Sequence, residues 1–347
     1  MKQSMTYRLL PIAIELVMIA ATGCVPADDF PVLTGDYLGQ TPPGSTPELF
    51  APGIVSTGLY TRDLAMTPEG DEIYFGVMAG GFSTIMMTEL VDGSWTKPEV
   101  APFAADPRYL NLEPAISPDG QKFYFLSNRP RDGGPMDAAD VGQWVNQDIW
   151  VMDRTANGWG EPYNLGPPVN SDAAEYFPSV TNDGTVYFTR EDPETRASLI
   201  HRSRFVAGEY QEVERLGDEV NSTANQFNAF VAPDESYLIV AVAGREDSYG
   251  GTDYYISFRD ESDNWAGPIN MGDMVNTLRG GEWSPYVSPD GRYFFFMSTR
   301  YRSADQFPEA LTADYLNEVH GQPLSGNPSM YWMEAGFIEE LREAAEF

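Results

Sequence analysis

One turn recurs five times along this chain, and it decides the architecture. The turns are Pro68-Glu69-Gly70, Pro118-Asp119-Gly120, Asn182-Asp183-Gly184, Pro233-Asp234-Glu235 and Pro289-Asp290-Gly291, with acidic positions 50, 64, 51 and 56 residues apart. Apolar runs flank each turn. In the second repeat Glu113-Pro114-Ala115-Ile116-Ser117 leads in, and Phe123-Tyr124-Phe125-Leu126 leads out. Asp148-Ile149-Trp150-Val151, the hairpin signal Asn157-Gly158-Trp159 and the run Pro162-Tyr163-Asn164-Leu165 follow. Repeats of this length built only of strands predict a propeller. The fold class is therefore all-β: a β-propeller of five four-stranded blades, with six blades as the alternative count.

The other repeats match run by run. The second strand recurs as Ile73-Tyr74-Phe75, Val186-Tyr187-Phe188, Leu238-Ile239-Val240 and Phe294-Phe295-Phe296. Such unbroken apolar runs suit strands covered on both faces. An aromatic residue after the third strand recurs as Trp95, Tyr210 and Trp265, with Phe337 in the last repeat. That repeat has no fourth strand and runs instead into a short terminal helix near residues 335–342. The missing strand lies at the other end, where Pro47-Glu48-Leu49-Phe50-Ala51-Pro52 matches the strand-four segment Pro98-Glu99-Val100-Ala101-Pro102. Pairing residues 47–52 with residues 329–333 would close the ring and remove two sheet edges.

The segments Ile116-Ser117-Pro118-Asp119-Gly120 through Ser127-Asn128-Arg129 and Asp148-Ile149-Trp150 resemble the TolB-like β-propeller repeat, a relative of the WD repeat. Val287-Ser288-Pro289-Asp290-Gly291 through Ser298-Thr299-Arg300 does so too. The resemblance covers about residues 47–335. Glu69 stands in place of the repeat's Asp, and Glu235 in place of its Gly. The resemblance implies a propeller. It does not select one activity, because the family includes scaffold components, sensor-like modules and propellers fused to enzymes.

The formal net charge of −31 disfavours nucleic acid and anionic lipid as partners. Residues 1–23 read as a signal peptide: Lys2 and Arg8 precede a mostly apolar stretch that ends in Ala21-Thr22-Gly23-Cys24. This ending resembles a lipoprotein signal, in which Cys24, the only cysteine, would be lipidated. The expected location is the cell envelope, with the lipid at the outer membrane and the protein facing periplasm or exterior. The membrane is then met only through that anchor. Residues 24–45 read as a tether or an arm packed on the domain, and 46–347 as the propeller with its terminal helix.

Short uniform turns read as structural, so binding is expected on the opposite face. Two insertions, residues 130–147 and 301–328, fall there, the second with a helix expected from Pro308 to Val319. Arg129, Arg190, Arg245 and Arg300 each follow a second strand. Pairs Arg129–Asp148 and Arg245–Asp253 are expected as staples, which leaves Arg190 and Arg300 freer for a ligand. With Glu175, Glu282, Glu113, Asn228 and Trp283, they form the expected binding ring. No nucleophile elbow, zinc-ligand spacing or phosphate loop is present, so neither cofactor nor metal is expected, and the balance tilts away from an enzyme. The leading function is a binding or scaffold module for an envelope protein or glycan. The alternative is a glycosidase-like enzyme using carboxylates at the propeller mouth.

Overall fold

The computed structural model describes residues 30–347; the signal segment, Cys24 and the first part of the expected tether lie outside the described residues. The chain first contributes an isolated strand, β1 (Glu48–Leu49), and then builds its blades. Blade 1 holds β2 (Tyr60–Met66), β3 (Glu72–Ala79), β4 (Phe82–Val91) and β5 (Glu99–Val100). Blade 2 holds β6 (Asn111–Ile116), β7 (Lys122–Ser127), β8 (Asp148–Thr155) and β9 (Tyr163–Asn164). Blade 3 holds β10 (Glu175–Val180), β11 (Val186–Glu191), β12 (Ser198–Ser203) and β13 (Glu214–Arg215). Blade 4 holds β14 (Gln226–Val231), β15 (Tyr237–Ala243), β16 (Thr252–Phe258) and β17 (Ile269–Asn270). Blade 5 holds β18 (Pro285–Val287), β19 (Tyr293–Ser298) and β20 (Ser329–Glu334).

The fourth strand of blade 5 is β1. Glu48 faces Trp332 and Leu49 faces Tyr331 in antiparallel register. Phe50 continues the ladder, its N–H donating to Met330 O at 2.9 Å. The bond repeats around the ring: Ala101 N to Ile85 O, Leu165 N to Ile149 O, Leu216 N to Ile200 O and Met271 N to Tyr254 O. The five-bladed ring and its closure therefore agree with the sequence reading.

The second strands are the core, as their unbroken apolar runs require. Ile73, Phe123, Val186, Leu238 and Phe294 are each fully buried. Burial of one such side chain stabilises by about 1.5–3 kcal/mol. The recurrent aromatics lock each blade to the one before. Trp159 Nε1 donates to Tyr74 OH at 2.8 Å, the Tyr124 and Tyr210 hydroxyls lie 3.0 Å apart, and Trp265 meets Tyr187 edge-on. Glu235 takes a left-handed φ of 59° where the four other turns have glycine. Its carboxylate offsets that strain by accepting from Tyr187 OH at 2.6 Å and Arg259 Nη1 at 2.9 Å.

The residues before β1 pack on the ring. Leu33 O accepts Trp95 N–H at 2.9 Å, Tyr37 sits edge-on to Tyr293, and Leu38 is buried. Two short helices complete the chain: α1 (Ala313–His320) and α2 (Phe337–Arg342). The helix α1 begins later than Pro308 because Thr312 caps it, its hydroxyl accepting Tyr315 N–H at 3.1 Å. Gly58 lets the end of α1 approach: a Cβ there would sit 2.2 Å from His320 O.

Candidate functional site

The first strands β2, β6, β10, β14 and β18 adjoin one another around the axis. Four of them bulge at a residue with left-handed backbone: Asp63, Glu113, Phe177 and Asn228, with φ of 53°, 60°, 51° and 56°. The strand ladder shifts register at each. Ser284 is the counterpart in blade 5. The bulge corrects the expected ring, because Glu113 and Asn228 do not share a level with Glu175 and Glu282. The level of Glu175 and Glu282 is instead completed by Thr61, Asn111 and Gln226, which occupy the same register against the second strands.

The bulge residues form an axial belt. Asp63 accepts from Glu113 N–H at 3.1 Å, Ser284 Oγ at 2.6 Å and Arg62 Nε at 2.9 Å. Glu113 accepts from Arg62 Nη2 at 2.7 Å and Phe177 N–H at 2.7 Å. Burial, opposed by Arg62, pushes the Glu113 carboxyl above the ordinary range. Asn228 N–H donates to Thr189 Oγ1 and its Nδ2 to Trp283 O at 2.6 Å, while its buried Oδ1 has no partner. Trp283 is half-buried and packs against the apolar cluster between blades 5 and 1.

The expected ligand residues on the insertion face hold the fold. Arg190 is not free: its Nε lies 2.8 Å from Glu175 and its Nη2 donates to Val169 O at 2.9 Å. Arg300 Nη2 donates to Met274 O at 2.7 Å, and its guanidinium covers the rings of Phe296 and Tyr331. Glu282 is fully buried. Its Oε1 accepts from Thr277 and Ser298 hydroxyls, and its Oε2 has no partner. Burial raises its carboxyl to about 7. Both expected staples differ from the reading. Asp148 pairs with Arg131, from the first insertion, at 2.5 and 2.7 Å. Arg245 pairs with Asp247, and Asp253 accepts N–H from Tyr249 and Gly250. His201 stacks on Phe188, and burial lowers its imidazole to about 4, as suits a packing residue.

A motif that the sequence reading missed supports these arginines. Val-Asn-Ser or Val-Asn-Thr stands at 169–171, 220–222 and 275–277. Each asparagine bonds both backbone groups of one third-strand residue: Asn170 to Ile149, Asn221 to Ile200 and Asn276 to Tyr254. The identical spacing before Ser171, Ser222 and Thr277 was the available signal.

The turn face is not featureless. A cavity of about 400 Å³ opens there, lined by the last residue of each first strand: Met66, Ile116, Val180, Val231 and Val287. The turns themselves are structural. Asp119 accepts from Ser117 Oγ at 2.6 Å, and Asp183 and Asp290 repeat the bond with Thr181 and Ser288. On the insertion face, a cleft of about 840 Å³ lies beside residues 130–147 and carries the half-exposed Trp144. The second insertion presents Tyr301, Phe307, Leu311 and Leu316, each more than half exposed.

No protein-family model matches the chain, and no curated protein does. Solved structures similar to it include TolB from Acinetobacter baumannii, 15% identical with a TM-score of 0.42 over 79% of this chain. The chain spans 57% of that protein. A TolB from Agrobacterium tumefaciens is 15% identical, with a TM-score of 0.43, covering 79% of this chain and 90% of its own. An arabinanase from Bacillus subtilis is 12% identical, with a TM-score of 0.47, covering 80% and 95%. At these identities the likeness concerns the fold alone.

Proposed function

We propose that this propeller is a binding module of the cell envelope, held at the outer membrane through Cys24, and that it receives a protein partner on the insertion face. The observation that carries the choice against hydrolysis is Arg62. A glycosidase needs two carboxyl groups free to reach one bond. Asp63 and Glu113 are the carboxylates that meet at the axis, and Arg62 engages both, at 2.9 and 2.7 Å, with all three residues buried. Glu175 and Glu282 are buried in separate blades and bonded to their own connections.

A protein partner is favoured over a glycan on this face by the second insertion. Tyr301, Phe307, Leu311 and Leu316 are large apolar side chains presented to solvent by one segment of an otherwise strongly acidic chain. Such side chains anchor protein interfaces.

The test has two arms. Envelope extract is passed over the full chain and over a Phe307→Asp, Leu311→Asp double variant, whose exposed substitutions leave the ring intact. A partner retained by the first and lost by the second supports the reading. In parallel, arabinan and aryl glycosides are assayed between pH 5 and 8. Turnover abolished by Glu113→Gln would overturn it in favour of the glycosidase. Mass spectrometry of the native N-terminus decides the anchor, and an unmodified Cys24 removes it.

A further inference from the structure

Three arginines sit in one repeated cradle. Arg129 and Arg300 follow a second strand, Arg190 lies near the end of one, and each covers a phenylalanine of that strand: Phe125 at 5.3 Å, Phe188 at 5.5 Å and Phe296 at 5.6 Å. Each donates from Nη2 to a carbonyl of the connection entering its blade, at Phe103, Val169 and Met274. They differ in counter-charge. Blade 3 supplies Glu175, and blade 5 supplies Glu282 beside Arg300. Blade 2 supplies Asn111 at that position. Its Oδ1 accepts from Ser127 Oγ at 3.1 Å, as Glu282 Oε1 accepts from Ser298 Oγ at 2.8 Å. Among the described residues no carboxylate pairs with Arg129, and its Nη1 has no partner.

Arg129, which lies over the rings of Phe125, Tyr109 and Trp150 and has Asp106 and Glu161 as its electrostatic neighbours without an ion pair to either, lines a groove of about 740 Å³ between blades 1 and 2. A second donor on the same wall is also unmet: Trp150 is 6% exposed, and its Nε1 has no acceptor. Ten buried side-chain polar atoms among the described residues lack a partner, and Arg129 Nη1 and Trp150 Nε1 are the two whose residues share the lining of this groove, which makes it the place where an acceptor would satisfy a pair of donors. Half-buried faces of Phe103, Tyr109 and Trp159 line the groove, and Glu89 and Glu161 stand at its edge. Those two carboxylates would repel a phosphate dianion, yet they accept well from hydroxyl groups. The fitting ligand has one negative charge, an apolar C–H face and several hydroxyls.

We propose that the groove between blades 1 and 2 binds an acidic sugar, a uronate, whose carboxylate pairs with Arg129 and whose ring lies on the aromatic wall. The groove includes Pro130, Gly133 and Gly134 of the first insertion, but its ligand does not depend on the partner proposed for the second.

The test titrates the purified protein with short galacturonate and glucuronate oligomers and with their methyl esters, which keep the shape and lose the charge. A charge-assisted hydrogen bond contributes about 1.5–3 kcal/mol, so the acid should bind about 10- to 100-fold tighter than its ester. Asn111→Glu would give blade 2 the carboxylate that blades 3 and 5 carry at that register, and its melting temperature is measured to establish that the variant folds. The variant should lose the preference for acid over ester. Equal binding of acid and ester by the unaltered protein, or no binding of either, overturns the proposal without any variant. A preference retained by folded Asn111→Glu overturns it as well. Tighter binding of inorganic phosphate than of uronate would reject the ligand class.

Discussion

Blades 3 and 5 are the same unit built in two ways. Blade 3 is one continuous stretch from Glu175 to Arg215, whereas blade 5 borrows Glu48 and Leu49 from the far end of the chain. Both carry glutamate three residues before the first-strand proline, but the arginine stands in different places: Arg190 lies within β11 directly across from Glu175, whereas Ser298 holds that register in blade 5 and Arg300 lies two residues beyond it. In blade 3 the two form an ion pair at 2.8 Å. In blade 5 Glu282 turns to Thr277 and Ser298, and Arg300 turns to backbone carbonyls, which leaves Glu282 Oε2 alone. Moving the arginine two residues along the chain therefore removes the ion pair, because a buried carboxylate takes whichever donors are nearest, and in blade 5 the hydroxyl of Ser298 stands where Arg190 does.

The largest contrast is in closure. Deleting residues 1–50 should abolish cooperative thermal unfolding, since blade 5 loses its outer strand and Phe50, which is fully buried against Phe295 and Trp332. A melting temperature unchanged by the deletion would show that the borrowed strand is dispensable. Next is the ion pair. Glu175→Ala leaves Arg190 without its carboxylate and should cost about 3 kcal/mol in urea unfolding at pH 7. A smaller loss than that of Glu282→Ala would invert the comparison.

The smallest effect is in pH. Glu282 is held at about 7 against an unfolded value of 4.5, so the folded state binds its proton more tightly. The stability it contributes is fully present below 4.5 and is lost as pH rises through 7. Glu282→Gln removes that dependence, and at pH 8 the variant should exceed the parent by on the order of 2 kcal/mol. The upward shift of Glu113 is common to both proteins and cancels in the difference. Parallel stability curves from pH 4 to 8 would place the Glu282 proton elsewhere.

The blade count and the closing strand were legible because both depend on local patterns: the repeated turn, and Pro-Glu followed by an apolar residue at 47–49 and 98–100. The level of Glu113 was not, because one bulge shifts every later residue of a strand relative to its partner. The prolines held the answer. Glu175 and Glu282 stand three residues before Pro178 and Pro285, whereas Glu113 directly precedes Pro114. Aligning on proline places Asn111, not Glu113, with the two glutamates. The partner of Asp148 was hidden for a different reason. Arg131 belongs to an insertion whose sequence no other repeat shares, so no periodicity could indicate it.

The bond from Phe50 N–H to Met330 O also fixes an order of events. The strand that completes the last blade is made before the other strands of every blade, and it has no partner until residues 331 and 332 have followed. Four blades can be assembled from neighbouring segments as they emerge, but the ring cannot be sealed until residues 331 and 332 have been made. Closing so long a loop costs little more free energy than closing one half its length, about 0.6 kcal/mol per doubling, but contacts so distant form slowly. A newly made molecule therefore passes through an unsealed state with the sheet edge of blade 5 open, and this is the interval in which it is most exposed to strand-pairing errors with other copies.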